Sequence, residues 1–168
     1  ADAKGLLKMA CRMDDPVIFM EHKGLYRQGY AANEEPDGDY LLPFGKGRRI
    51  IEGDELTVIT WGYMVQKSID AVQLLGLSEN LIDIIDLRTL NPIDLDLIEN
   101  SITKTGKVLV VHEDNITNGP GSEISALIAD KFFEFLDGPV RRVASKDSPI
   151  PFNWIIEEKV LLQTEEIA

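Results

Sequence analysis

The stretch LIDIIDLRTLNPIDLDLIENSITKTGKVLVVH, residues Leu81 to His112, decides the fold. It opens with Leu81-Ile82-Asp83-Ile84-Ile85-Asp86-Leu87, an apolar run of strand length. Asp94 then stands at an N-cap position, where a carboxylate can accept the free N–H groups of a first helical turn. Leu95, Ile98 and Ile102 follow on one face of a helix, and Gly106 is its stop. Lys107 to His112 returns as a second strand, nearly all apolar in its middle. Strand, helix and strand in that order form the unit of a parallel sheet with right-handed crossovers.

The same alternation extends to both sides. Upstream, Leu56-Thr57-Val58-Ile59-Thr60 reads as a strand, and Val65, Ile69, Val72 and Leu75 recur at helical spacing. The spacing predicts a helix over Met64 to Leu75, closed by Gly76. Downstream, Asn118-Gly119-Pro120-Gly121 makes a turn, and Ile124, Leu127, Ile128, Phe132 and Phe135 form a helical stripe. Pro139 to Val143 reads as the last strand. Strands apolar on both faces and separated by helices predict a three-layer α/β domain with a mostly parallel sheet. Arg48 to Glu52, ending in the turn signal Glu52-Gly53-Asp54, predicts an antiparallel edge strand paired as a hairpin with Leu56–Thr60.

The first forty-odd residues differ. Asp2 is expected to cap a helix carrying Leu6, Leu7, Met9 and Ala10, and Val17 to Met20 to form a compact strand. One helix and one strand cannot bury both faces of a parallel sheet, so residues 1–22 read as the tail of a further domain. Residues 23–45 are polar and turn-rich, as in Asn33-Glu34-Glu35-Pro36-Asp37-Gly38, and read as a linker. Residues 46–168 then hold the α/β domain.

Composition narrows the classes of function. Of 168 residues, 44% are apolar and 27% charged, ordinary values for a globular domain. No apolar run approaches the roughly 20 residues of a membrane helix, and no signal peptide is visible at the N-terminus. Seventeen basic against 29 acidic residues give a net charge of −12. That balance disfavours nucleic acid and anionic lipid and favours basic partner surfaces; its plainer meaning is solubility. The single cysteine, Cys11, fits a reducing compartment.

Several motifs invite chemistry. Ser101-Ile102-Thr103-Lys104 and Lys104-Thr105-Gly106 imitate the S-x-x-K and K-T-G signatures of penicillin-binding enzymes, but they share one lysine where that mechanism needs two. Gly119-Pro120-Gly121 sits between strand and helix, where anions bind. No lysine follows it, and Glu113, Asp114 and Glu123 crowd the place with negative charge, so a structural turn is the expectation. His112 and Glu113 end a strand, where α/β domains place functional groups. Without a nucleophile nearby, His112 is expected to be a hydrogen-bonded anchor or a subunit contact. His22, in the linker, is a candidate to face a neighbouring active site. Cys11 is expected to be a packed thiol, and two histidines and one cysteine so widely spaced make no zinc site.

Five stretches in fixed order point to one family. They are Asp2–Leu7; Pro16–Glu21 with Leu25-Tyr26-Arg27; Ile85–Pro92; Lys104-Thr105-Gly106 with Val110–Glu113; and Pro139–Val143 with Asp147-Ser148-Pro149-Ile150-Pro151. Together they resemble the beta subunit of the thiamine-diphosphate-dependent decarboxylating component of 2-oxo acid dehydrogenase complexes, of pyruvate or branched-chain type. Glu21 to Arg27 resembles the branched-chain or single-chain fused enzymes more. The resemblance implies a transketolase C-terminal-domain-like fold over the α/β part. It also implies oxidative decarboxylation of a 2-oxo acid, with acyl transfer to a lipoyl group, in the whole enzyme. The family's catalytic glutamate and histidine precede the segment matching Asp2–Leu7. No catalytic or cofactor-binding residue is therefore expected in this chain, and thiamine diphosphate with magnesium belongs to the parent enzyme.

By the same resemblance, Ala10, Met13 and Asp15 match positions whose carbonyls hold potassium, against the plainer reading of a helix C-cap. Asp137 matches an acidic position that receives the basic subunit-binding domain of the acyltransferase core, against ordinary turn chemistry. The implied partners are an alpha subunit or fused alpha region, a second beta copy and that core. The implied location is the cytoplasm of a bacterium or the mitochondrial matrix of a eukaryote. The competing readings are the equivalent domain of transketolase or deoxyxylulose-phosphate synthase, and a non-catalytic interaction module.

Overall fold

The computed structural model describes residues 1–168, the side chain of Glu79 left aside. Five strands form one sheet: β1 (Arg48–Ile51), β2 (Leu56–Thr60), β3 (Ile82–Asp86), β4 (Val108–Asn115) and β5 (Arg141–Ser145). Their order across the sheet is β1-β3-β2-β4-β5. Parallel pairing joins β3 to β2, β2 to β4 and β4 to β5, while β1 runs antiparallel. The antiparallel edge is as expected, but the hairpin is not. β1 pairs with β3, Arg48 opposite Asp86, because β3 inserts between β1 and β2. A turn signal predicts a reversal of the chain, not which strand will lie alongside.

Helices α2 (Tyr63–Leu75), α3 (Leu95–Thr105) and α4 (Pro120–Lys131) connect the parallel strands. From β2 the chain moves to β3 on one side, then returns past β2 to β4 and on to β5. Right-handed crossovers in opposite directions place the helices on opposite faces. Two cores result. Ile59, Ile85 and Val110 face Ile98 and Ile102 of α3 and Ile124 and Ile128 of α4. Their strand neighbours Val58, Ile84 and Val111 face Met64 and Val72 of α2. Strand periodicity of two thus serves both layers. Gly76 and Gly106 end α2 and α3 with φ of 61° and 65°, the left-handed stops the sequence called for. The Asp94 side chain accepts the Leu97 N–H, as an N-cap should.

Boundaries shift at the end of the domain. The stripe Ile124–Phe135 divides into α4 and a 3-10 turn, Phe133–Phe135, and the last strand begins at Arg141 rather than Pro139. Two short helices complete the chain, α5 (Trp154–Val160) and α6 (Thr164–Ile167). Neither carries a stripe long enough to announce itself. Leu162 between them is buried in the α2-side core.

At the front, α1 (Asp2–Ala10) begins one residue after its N-cap Ala1. Asp2 lies in the first turn, and its carboxylate pairs with Arg88 at 2.8 Å instead of capping. The linker folds back on α1: Leu42 N–H donates to Gly5 O, and Lys4 pairs with Glu35 at 2.6 Å. Val17 to Met20 is not a strand. It forms no ladder, and Ile18 and Met20 are exposed, because no neighbour within this chain satisfies its backbone. Cys11 is exposed at the C-cap of α1, one residue past the helix, so it is not a packed thiol.

Candidate functional site

The C-terminal ends of β2 and β4 adjoin where the chain's direction across the sheet reverses, the position at which doubly wound folds bind ligands. Here that crevice is filled by the chain's own rings. Trp61, just past β2, stacks on His112 of β4 with centroids 5.6 Å apart and planes at 4°. On its other side His112 meets the start of α4. A Cβ added to Gly121 would lie 2.3 Å from His112 Cδ2, and one on Gly119 2.8 Å from Cε1. The glycine turn admits an imidazole, not a phosphate.

His112 is fully buried, and neither ring nitrogen has a hydrogen-bond partner among the described residues. The expected hydrogen-bonded anchor is therefore a packed ring, held by stacking and by glycine contact. Burial lowers its pKa below the ordinary imidazole value; Asp114 opposes the shift and Arg142 adds to it. The folded chain thus favours the neutral ring. Between that lowered value and about 6.5 the unfolded chain binds more protons, so stability rises with pH across this window and levels off above it. Wild type is expected to lose stability relative to His112→Leu in urea as the pH falls from about 7 to about 5.5. A gap independent of pH would contradict the neutral, buried ring.

One residue on, the register of β4 against β5 shifts between His112 and Asn115. Such a bulge re-aims side chains. Glu113 turns to the linker, where it meets His22 Nε2 at 3.1 Å. The His22 ring also lies against Tyr63 at the start of α2, 5.1 Å between centroids. Lys67, one helical turn further, reaches over the Tyr63 ring at 5.2 Å. It donates to Leu162 O and, at 3.0 Å, to Gln163 Oε1. Burial lowers the Lys67 pKa, opposed by carboxylates including Glu113 and Glu165. Linker, strand end, α2 and C-terminal segment are thus tied together at one end of the sheet. Sequence singled out His22 and, apart from it, the strand-end pair His112 and Glu113. Trp61, Tyr63 and Lys67 carried no motif, and only the end of β2 lying beside β4 brings them in.

The remaining singled-out residues lie elsewhere. Ser101 is buried, donates to Asp83 Oδ2 at 2.8 Å and shares a 2.6 Å bond with Thr57. Lys104 lies 3.5 Å from the same carboxylate. These are sheet-to-helix ties, far from a nucleophile and its base. Ala10 closes α1, its carbonyl accepting the Met13 N–H at 3.2 Å, and Asp15 follows in an exposed bend. Asp137 is exposed, donates its N–H to Gly106 O at 2.8 Å, and borders an open depression of about 550 Å³ lined by Ala129, Phe133, Leu136 and Val140. Among the described residues no group of three or more His, Cys, Asp or Glu side chains is placed to hold a metal ion.

A doubly wound sheet with one antiparallel edge, flanked by helices on both faces and with its switch-point crevice filled by Trp61 and His112, defines a three-layer α/β domain. The chain belongs to the family described as transketolase, C-terminal domain, whose model matches residues 45–167. Among curated proteins it is 36% identical over 168 residues to the mitochondrial pyruvate dehydrogenase E1 component subunit beta of Dictyostelium discoideum, covering 99% of this chain and 47% of that one. It is 42% identical over 154 residues to the mitochondrial 2-oxoisovalerate dehydrogenase subunit beta of the same organism, 89% and 40% of the two chains. To the 2-oxoisovalerate dehydrogenase subunit beta of Bacillus subtilis it is 40% identical, 99% and 50% of the two. The chain thus spans about half the length of these relatives. Among solved structures, a split gene transketolase, an inactive beta4 tetramer, superposes with a TM-score of 0.63 at 25% identity, over 80% of this chain and 43% of that one. The fold and the resemblance to dehydrogenase beta subunits are both borne out.

Proposed function

We propose that this chain is the C-terminal half of a thiamine-diphosphate-dependent 2-oxo acid dehydrogenase beta subunit, contributing assembly and docking to an oxidative decarboxylation carried out elsewhere in the enzyme. The observation that carries the proposal is likeness at 36–42% identity across nearly the whole chain to beta subunits of pyruvate and 2-oxoisovalerate dehydrogenases. The higher value, for a 2-oxoisovalerate enzyme, favours a branched-chain substrate. The residues present do not fit the diphosphate end of the cofactor: the α4 glycine turn is filled by His112, and the sequence on either side of it carries Asp114 and Glu123 rather than a lysine. No chemical step is assigned to this chain. The open backbone of Val17–Met20 suits the last strand of a sheet supplied by the rest of the subunit.

Two finer assignments accompany this reading. Asp137, exposed at the rim of an apolar depression, suits a basic subunit-binding domain of the acyltransferase core, steered by the net charge of −12. Ala10, Met13 and Asp15 form a plain C-cap turn rather than a potassium site in this reading, the Ala10 carbonyl closing the turn on the Met13 N–H.

A chimera tests the proposal. This chain is joined to the N-terminal half of the Bacillus subtilis 2-oxoisovalerate dehydrogenase subunit beta and assembled with the matching alpha subunit. It is expected to oxidise a 2-oxo acid with an artificial electron acceptor, 2-oxoisovalerate ahead of pyruvate. Asp137→Lys is expected to keep that activity and lose capture by the acyltransferase core. An assembled, thiamine-diphosphate-saturated chimera that turns over no 2-oxo acid refutes the reading.

A further inference from the structure

Arg88 stands in a backbone conformation that a side chain disfavours. Its φ is 58°, in the left-handed region where glycine is at ease and a long side chain is rare. The turn is nevertheless fixed from both sides. Before it, the Asp86 carboxylate at the end of β3 accepts the Arg88 N–H at 3.0 Å, and the Leu87 N–H donates to Thr60 O at 2.9 Å. After it, Thr89 Oγ1 accepts the Gly45 N–H at 3.0 Å and donates to Pro92 O at 2.7 Å. Strained residues persist only where their surroundings over-determine them, and they gather at clamps and switches. An arginine held where a glycine would sit without strain points to a use for its side chain.

That side chain reaches α1. Arg88 Nε donates to Asp2 Oδ2 at 2.9 Å across 86 positions of the chain, and Nη2 lies 2.8 Å from the same oxygen. The arginine side chain is only 12% exposed, so solvent screens the pair less than one on the surface. Among the described residues no other ion pair joins α1 to residues 46–168, and its other ties lead to the linker. Lys4 reaches Glu35, Lys8 reaches Gly38 O, and Gly5 O accepts the Leu42 N–H. We propose that Arg88 is a positioning residue, a clasp that fixes the angle of α1 against the sheet. The left-handed turn after β3 is what aims the guanidinium at α1. On the beta-subunit reading α1 ends the preceding domain, so the clasp also sets how the two halves of the subunit meet; the clasp itself does not need that reading.

Arg88→Gly removes the strain and the clasp together. Amide exchange in α1 is expected to quicken at least about tenfold, the factor lost with a hydrogen bond between charged groups, while β2, β3 and β4 keep their protection. Asp2→Ala cuts the clasp from the other side and leaves the turn intact. It should loosen α1 too, and the double variant should go no further than Arg88→Gly, since both changes remove one interaction. Spin labels on Cys11, the single and exposed cysteine just past α1, and on an introduced Glu99→Cys of α3 read the angle itself. Their distance distribution is expected to be narrow with Arg88 in place and broad in Arg88→Gly. Unchanged exchange in α1, an unchanged distribution, or equal loss of protection in every strand overturns the proposal. Should Arg88→Gly fail to fold, Asp2→Ala answers by the same two measurements. None of these involves turnover, so the clasp and the dehydrogenase assignment fall separately.

Discussion

Replacing Asp83 with alanine is expected to cost about 3–5 kcal/mol of stability, the usual loss when one partner of a buried ion pair is removed. Asp83 is fully buried on β3. Arg49 of the edge strand β1 donates to it at 2.9 Å, and Ser101 of α3 at 2.8 Å. Ser101 in turn shares a bond with Thr57 of β2, and Thr57 one of 2.7 Å with Thr105. One carboxylate therefore ties two strands to a helix and holds the antiparallel edge. Its removal takes the buried carboxylate from Arg49, which keeps only Asn100 and the exposed Glu52. It also takes from the Ser101 hydroxyl its acceptor on β3, in a core where a lost partner carries a desolvation cost. In a chain of this size the midpoint of thermal unfolding should fall by about 10 °C. Asp83→Asn keeps the volume and one acceptor and should lose less. If Asp83→Ala shifts urea unfolding by under about 1 kcal/mol, the network contributes nothing.

The second large effect lies where His112 meets α4. Gly121→Ala places a methyl within 2.4 Å of His112 Nε2, and the ring cannot retreat because Trp61 stacks on it. Overpacking of this kind costs about 1–3 kcal/mol. His112→Ala removes the ring and leaves a cavity beside Trp61, a loss of about 2–4 kcal/mol by analogy with other large-to-small core changes. The double variant distinguishes this contact from general fragility. Its new methyl enters space the ring has left, so its loss should fall short of the sum of the single losses by at least about 1 kcal/mol. Additive losses, read from paired urea curves, would mean that glycine and histidine do not share the space described.

These two sites show how differently the parts of the chain could be read in advance. Asp94, Gly76 and Gly106 act within one or two turns of themselves, and their caps follow from residue type alone. Asp83 looked like one polar residue in a strand; that it faces Arg49, Ser101 and Lys104 depends on β1 lying beside β3. His112 was visible as a strand-end histidine, but an isolated letter cannot tell a hydrogen-bonded ring from a stacked one. The site residues missed outright, Trp61, Tyr63 and Lys67, sit in no spacing pattern. The wrongly placed strand Val17–Met20 shows the converse: its letters suit a strand, but a strand exists only when another backbone accepts its hydrogen bonds.

Periodicity and caps in the chain itself determined the alternation of strands and helices, the three layers, the parallel core and the family. These features arise from contacts between near neighbours, whose geometry repeats wherever the same letters occur. Tertiary structure alone decided the partner of β1, the filling of the switch-point crevice by Trp61 and His112, and the pairing of His22 with Glu113 across 91 positions. It alone turned the apolar side of α5 outward. Each depends on which distant segments share a space, and no local pattern encodes that.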